Sequence, residues 1–253
     1  MRFYWFGRLQ VAKIRDYVTN LDEAGFYGLL LPYAVGYGDS FVRAAYSLNP
    51  DQKIKYLIAI RPHTLSPQYL AMLCRSMDKL DPGRVQINFV AGQIHENEKW
   101  FGGILGDITD DTPALERKKY LIDYVKNFTS LDFETPVVCV SGMTEEIFSL
   151  VEECADYNII AYDAYRRQGG FRKISKPRII SMCPFIRDTQ EEIDSLDLTD
   201  TPQDIVYTTE ENLIALIKSL KEDGIEDVMF FSHGEEEEMD RIVEFVKKNK
   251  DLF

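Results

Sequence analysis

Residues 53–92 constrain the fold more than any other stretch. Lys53 to Ile60 is an isoleucine-rich, largely apolar run that stops at Arg61 and Pro62, which reads as a buried strand. Ser66 is an N-cap candidate with Pro67 at the first helical position, where the missing N–H costs nothing. Tyr69, Leu70, Leu73, Met77 and Leu80 then recur at helical spacing, Asp81, Pro82 and Gly83 close the helix, and Arg84 to Val90 is the next strand. The result is a β-α-β unit with polar and special residues gathered where its strands finish, the edge that carries chemistry in parallel α/β folds.

The same rhythm runs from end to end. Glu23, Ala24, Gly25 and Phe26 match Glu222, Asp223, Gly224 and Ile225: a helix, a glycine at a left-handed cap, an apolar residue, then a strand. Strands are predicted at 2–6, 27–32, 53–60, 84–91, 136–141, 158–162, 178–186 and 227–232. Helices are predicted near 9–24, 39–48, 67–80, 113–128, 144–155, 210–222 and 235–249. Eight strands in 253 residues without a linker predict one domain over 1–253, an α/β (β/α)8 TIM barrel. Between strands six and seven there is room only for a loop, so the barrel is expected to be trimmed there.

Composition narrows the function. A net charge of −13 argues against a nucleic-acid partner, and no apolar run approaches a membrane span. Cys74, Cys139, Cys154 and Cys183 lie scattered in apolar stretches, as buried free thiols of a cytoplasmic protein would. No histidine pair at helical spacing suggests a metal site. From Tyr165 to Arg178 there are six basic residues and no acidic one. That stretch reads either as a solvated loop paired with acidic neighbours or as an arm, hinged at Gly169 and Gly170, that closes over an anion.

All three histidines, His63, His95 and His233, fall just beyond predicted strand ends, which converge on one mouth in a barrel. Strand five runs into Ser141, Gly142, Met143 and Thr144 before a helix, a turn that presents backbone N–H groups and two hydroxyls. It reads as an anion site or as a plain N-cap at Thr144 with Glu145 and Glu146 serving the helix dipole.

Arg61 with Pro62, Ser66 with Pro67, Asp78 with Leu80, Gly83 with Arg84, and Val90 with Gly92 fall in an order and spacing that resemble the bacterial luciferase-like flavin monooxygenases. Within these the closest branch is that of the alkanesulfonate monooxygenases. The resemblance implies a barrel that binds FMN, takes it reduced from a separate reductase, and acts on a small organic substrate. Ser141, Gly142, Met143 and Thr144 would hold the FMN phosphate, and Asn88, Ala91 and Gly92 would lie against the flavin ring. Tyr37, Asp39, His63 and His233 would face the substrate, with His63 as proton donor or acceptor. A homodimer is implied through helices two and three, with Phe41, Val42, Ala45, Tyr69 and Met72 as the apolar face.

The chain also departs from the alkanesulfonate pattern. Tyr37 replaces a cysteine, Ser181 and Cys183 replace the arginine and histidine of strand seven, and a long mobile insertion is absent. Two other readings follow: a flavin-binding protein without turnover, and a deazaflavin-dependent dehydrogenase of the same superfamily.

Overall fold

The computed structural model describes residues 1–253 except 8–10, 34, 92–112, 168–173, 197–201, 203 and 234–235. Its strands are β1 (Arg2–Phe6), β2 (Gly28–Leu31), β3 (Lys55–Ile60), β4 (Val85–Phe89), β5 (Val137–Ser141), β6 (Tyr157–Ala161), β7 (Arg178–Arg187), β8 (Ile205–Thr209) and β9 (Asp227–Phe230). The helices are α1 (Ile14–Ala24), α2 (Ser40–Ser47), α3 (Pro67–Leu80), α4 (Ala114–Thr129), α5 (Glu145–Cys154), α6 (Tyr162–Arg167), α7 (Gln190–Asp194), α8 (Glu210–Glu222) and α9 (Glu236–Asn249). Strands β1 to β7 pair in sequence, β7 pairs β9, and β9 pairs β1, all parallel. This is the expected (β/α)8 TIM barrel, a closed ring of eight strands.

Local chemistry explains the elements. Asp39, Ser66 and Thr209 each accept a backbone N–H from the first turn of α2, α3 and α8. Gly25 and Gly224 take φ of 93° and 83° at equivalent helix ends, as the internal repeat required. On α3 the buried stripe is Leu70, Cys74 and Met77, whereas Tyr69 and Leu80 face outward.

Two cores result. Between strands and helices lies the larger one, which includes Phe41 and Phe128. Inside the ring, Tyr4, Leu30, Leu57, Cys139, Ile159, Ile179 and Met229 come one from each of seven strands. The eighth strand, β4, contributes Gln86, whose Oε1 accepts the Tyr4 hydroxyl at 3.2 Å.

Four expectations are corrected. Residues 205–209 form a strand that pairs only with the far half of β7, from Cys183↔Ile205 to Arg187↔Thr209. The β6–β7 connection begins with a six-residue helix, α6, stabilised by an Arg167–Asp163 pair at 2.7 Å. A short helix, α7, also precedes β8. Phe41 points into the core, so it is no part of an outer face. Within the basic stretch, Ser175 donates to Glu152 and Tyr165 to Asp223, while the hinge at Gly169 and Gly170 lies outside the described residues. Glu152 also lies close enough to act on the charge of buried Arg178.

No helix among the described residues is long and apolar enough to cross a membrane. Among them, too, no three His, Cys, Asp or Glu side chains gather as a metal-binding group.

The ring is pinned at its N-terminal end. Arg2 Nε and Nη2 donate to Asp227 Oδ1 and Oδ2 at 2.9 and 2.6 Å, and Nη2 also donates to the Tyr157 hydroxyl at 2.7 Å. Asp227 is 1% exposed, and its hydrogen bonds raise the Arg2 guanidinium above its ordinary pKa. Arg2→Met leaves that carboxylate buried without its cation and should cost about 3 kcal/mol in urea unfolding. Adding Asp227→Leu should restore most of the loss. A double variant no more stable than the single would show that the pair does not set the cost.

Candidate functional site

At the C-terminal ends of the strands, polar and aromatic side chains divide the mouth between them. On one side, Ser141 at the end of β5 donates to Asn88 Oδ1 of β4 at 2.9 Å. Asn88 is buried, and Ala91 packs half-buried two residues beyond the strand. Gly92 and His95 lie outside the described residues.

Beyond Ser141 the chain turns sharply into α5. Gly142 has φ 141°, a conformation that favours glycine, and a Cβ there would press on Ile147 Cγ1 at 3.2 Å. Its amide donates to the Ile159 carbonyl at 3.1 Å. Asn158 of β6, fully buried, donates through Nδ2 to the carbonyls of Val140 and Gly142, both at 3.0 Å. Asn158 thus fixes the turn from behind, which sequence reasoning missed because a lone asparagine in an apolar strand carries no pattern. Met143 is half-buried against the core.

Thr144 stands at the N-cap position of α5 but makes no capping bond. Its hydroxyl serves the Glu146 carboxylate, which this contact, the Glu146 amide and Lys118 at 3.3 Å hold below the usual range. The plain-cap reading of Thr144 is therefore corrected. The threonine side chain does not cap α5, and the Glu146 carboxylate itself takes the Glu146 amide in the first turn.

The other side of the mouth is aromatic. Phe6, Ala161, Tyr162, Asp163, Ser181, Asp204 and Phe231 line a cavity of about 460 Å³. Phe6 and Phe231 meet edge to face at 5.9 Å. Just outside the cavity lining, His233 Nε2 lies 3.1 Å from Asp204 Oδ1, each side chain a little over one-third exposed. A carboxylate in that place orients an imidazole for proton transfer. Of this group the sequence singled out only His233 and Ser181. Asp204 was hidden because β8, which it precedes, was not foreseen, and Phe6 reads as ordinary strand apolarity.

Tyr37, His63 and Asp39 occupy the connections after β2 and β3. His63 is buried in a 3-10 turn over Pro62–Thr64, beside Arg61, whose guanidinium stands 5.1 Å over the Tyr33 ring. Tyr37 ends a 3-10 turn over Val35–Tyr37, and Asp39 Oδ1 accepts the Val42 amide at 2.9 Å. Buried Arg43 donates to the Pro32 carbonyl at 2.5 Å and to Ser40 Oγ at 3.1 Å, which fixes this connection. Larger clefts of about 670 and 720 Å³ open at the N-terminal end, where barrels carry stability rather than chemistry.

The barrel itself has known counterparts. Residues 7–131 match the luciferase-like monooxygenase family. That stretch contains the whole Arg61–Gly92 pattern. Among solved structures, a riboflavin lyase with modified FMN and riboflavin is 13% identical, covers 100% of this chain and 92% of its own, and superposes with a TM-score of 0.75. The EDTA monooxygenase of Chelativorans sp. BNC1 is 13% identical over 100% and 95% of the two chains, with a TM-score of 0.69. An F420-dependent secondary alcohol dehydrogenase holding an F420-acetone adduct is 14% identical over 96% and 97%, with a TM-score of 0.67. At these identities the likeness is one of fold.

Gly142→Ala tests the turn. The strained φ and the contact with Ile147 should lower stability by about 1–3 kcal/mol in urea unfolding. An alanine variant as stable as the parent would mean that the turn relaxes freely and is not a built feature.

Proposed function

We propose that this chain is an FMN-dependent oxidoreductase of the luciferase-like kind, acting as a two-component monooxygenase on a small organic substrate. The observation that carries the reading is the turn at 141–144. Its glycine takes φ 141°, Asn158 holds its carbonyl, and Thr144 does not cap α5 with its side chain. Bound at this mouth, reduced FMN from a separate reductase would supply the electrons and the centre that reacts with oxygen. Ser141, Gly142, Met143 and Thr144 would hold its phosphate, and Asn88, Ala91 and Gly92 would lie along its ring.

The chain's own residues would then orient and enclose. Asn88 and Ser141, bonded to each other, offer a polar edge to the ring. His233, held through Nε2 by Asp204, would hold or move a proton at Nδ1. His63, Tyr37 and Asp39 would border the substrate from the β2 and β3 connections. A second reading is favoured by the β7–β9 connection, whose described part is spent on α7, β8 and α8. Little chain is left there for an insertion to shield oxygen chemistry from water. A deazaflavin-dependent dehydrogenase needs no such shield.

The absorbance spectrum of the purified protein and oxygen uptake with reduced FMN separate these readings. Uptake coupled to product supports the monooxygenase, and deazaflavin binding with no FMN binding would replace it. FMN bound without turnover leaves a flavin-binding protein. For the phosphate turn, Thr144→Asp should weaken FMN binding by about 2–3 kcal/mol while leaving riboflavin nearly unaffected. Equal loss for both ligands would remove the phosphate from this turn.

We also propose a homodimer through α2 and α3. Val42, Tyr69 and Met72 are 59%, 51% and 50% exposed and, with exposed Ala45, form an apolar face that the barrel itself does not use. Light scattering should give twice the 29.3 kDa of the chain, and Met72→Glu should shift it toward the monomer. A parent protein already monomeric at micromolar concentration would overturn this.

A further inference from the structure

We infer that the substrate bound in the aromatic half of the mouth is an organic cation, an amine or quaternary ammonium compound. This names a substrate class for the site proposed above and rests on that reading. Three aromatic residues line the cavity, Phe6 from β1, Tyr162 from the start of α6 and Phe231 just after β9. Aromatic faces carry negative quadrupole potential and attract cations, most strongly where water is excluded. Two carboxylates, Asp163 and Asp204, line the same space with the Ser181 hydroxyl, and the described lining includes no lysine or arginine.

The cations nearby do not reverse that sign. Arg167 pairs with Asp163 from a side chain that is 68% exposed, and is not part of the lining. His233 meets Asp204 from just outside the same lining. Arg166 stands 5.8 Å from the Tyr162 ring centre, on an exposed side chain.

A sulfonate or carboxylate entering here would lose water to meet two carboxylates and three aromatic side chains. A cation of the same size would meet complementary groups on every described wall. The volume of about 460 Å³ suits a small organic molecule. The net charge of −13 also draws cations toward the protein as a whole. Ser181 fits the same logic. It stands at a position where the resemblance to alkanesulfonate monooxygenases would place a charged or basic residue, and it contributes only a neutral hydroxyl to the wall.

Three probes of similar size test the inference without flavin: choline, its uncharged isostere 3,3-dimethylbutan-1-ol, and butane-1-sulfonate. Binding is followed by calorimetry or ligand-observed NMR. Choline should bind at least about tenfold tighter than the alcohol, and the sulfonate should not bind measurably. Asp204→Asn should weaken choline about fivefold or more and leave the alcohol unchanged. Asp163→Asn provides the same comparison should the first variant misfold. Equal binding of choline and the alcohol, tighter binding of the sulfonate, or no choline binding at all would overturn the inference. FMN titration is run separately, so its failure would remove the flavin reading while leaving the choline result to stand or fall alone.

Discussion

The bond between Arg2 and Asp227 closes the ring on which everything at the mouth depends. The two residues sit opposite each other in the β1–β9 ladder, so the guanidinium joins the first strand to the last. Through Tyr157 it also reaches β6, and it stacks 4.3 Å over Tyr27 beside β2. A cation with five donors suits this place because one side chain can satisfy several strands at once. The cost of burying Asp227 is offset by a bidentate pair and the Arg2 backbone amide at 3.1 Å. Site residues at the other end arise from separate strands, so their spacing is only as fixed as the ring.

Strand β7 makes the mouth asymmetric. Its first half pairs with β6 and β9, and its second half extends beyond the ring to pair with β8. Ser181 lies in the ring-forming part and faces the cavity, while Asp204 is delivered to the same cavity by the chain entering β8. The extension is anchored from the helix layer. Arg187 pairs with buried Glu238 of α9 at 2.7 Å, and its guanidinium lies 3.5 Å over the Phe185 ring. One overlong strand therefore supplies a wall that a regular barrel would lack.

How much was legible follows from which signals are periodic. The eight ring strands were readable because each is a buried apolar run bounded by caps, with Gly25 and Gly224 marking equivalent joints. Strand β8 contains Ile205, Val206, Tyr207, Thr208 and Thr209, all strand formers, yet most of it is only half-buried and it lies at an edge. Without a buried run it read as the approach to α8. Helix α6 escaped because six residues fall below any periodic window. Phe41 shows the converse limit: helical spacing places it on α2 but does not say which face of α2 meets the barrel.

The site was legible only in part, for a related reason. Ser141 to Thr144 announced itself by residue type and by the helix that follows, whereas its support from Asn158 comes across the sheet and leaves no local trace. The aromatic cavity was illegible because Phe6, Tyr162 and Phe231 are far apart in the chain and each looks like core. In the ring, β4 and β5 stand across from β9 and β1, so the Asn88–Ser141 pair faces Phe6 and Phe231 over the barrel axis. Hydrogen-bonding side chains and the turn into α5 thus occupy one rim, and aromatic side chains with Asp163 and Asp204 the other. The two rims differ in chemistry because they are built from opposite strands of the ring, β4 and β5 against β9 and β1.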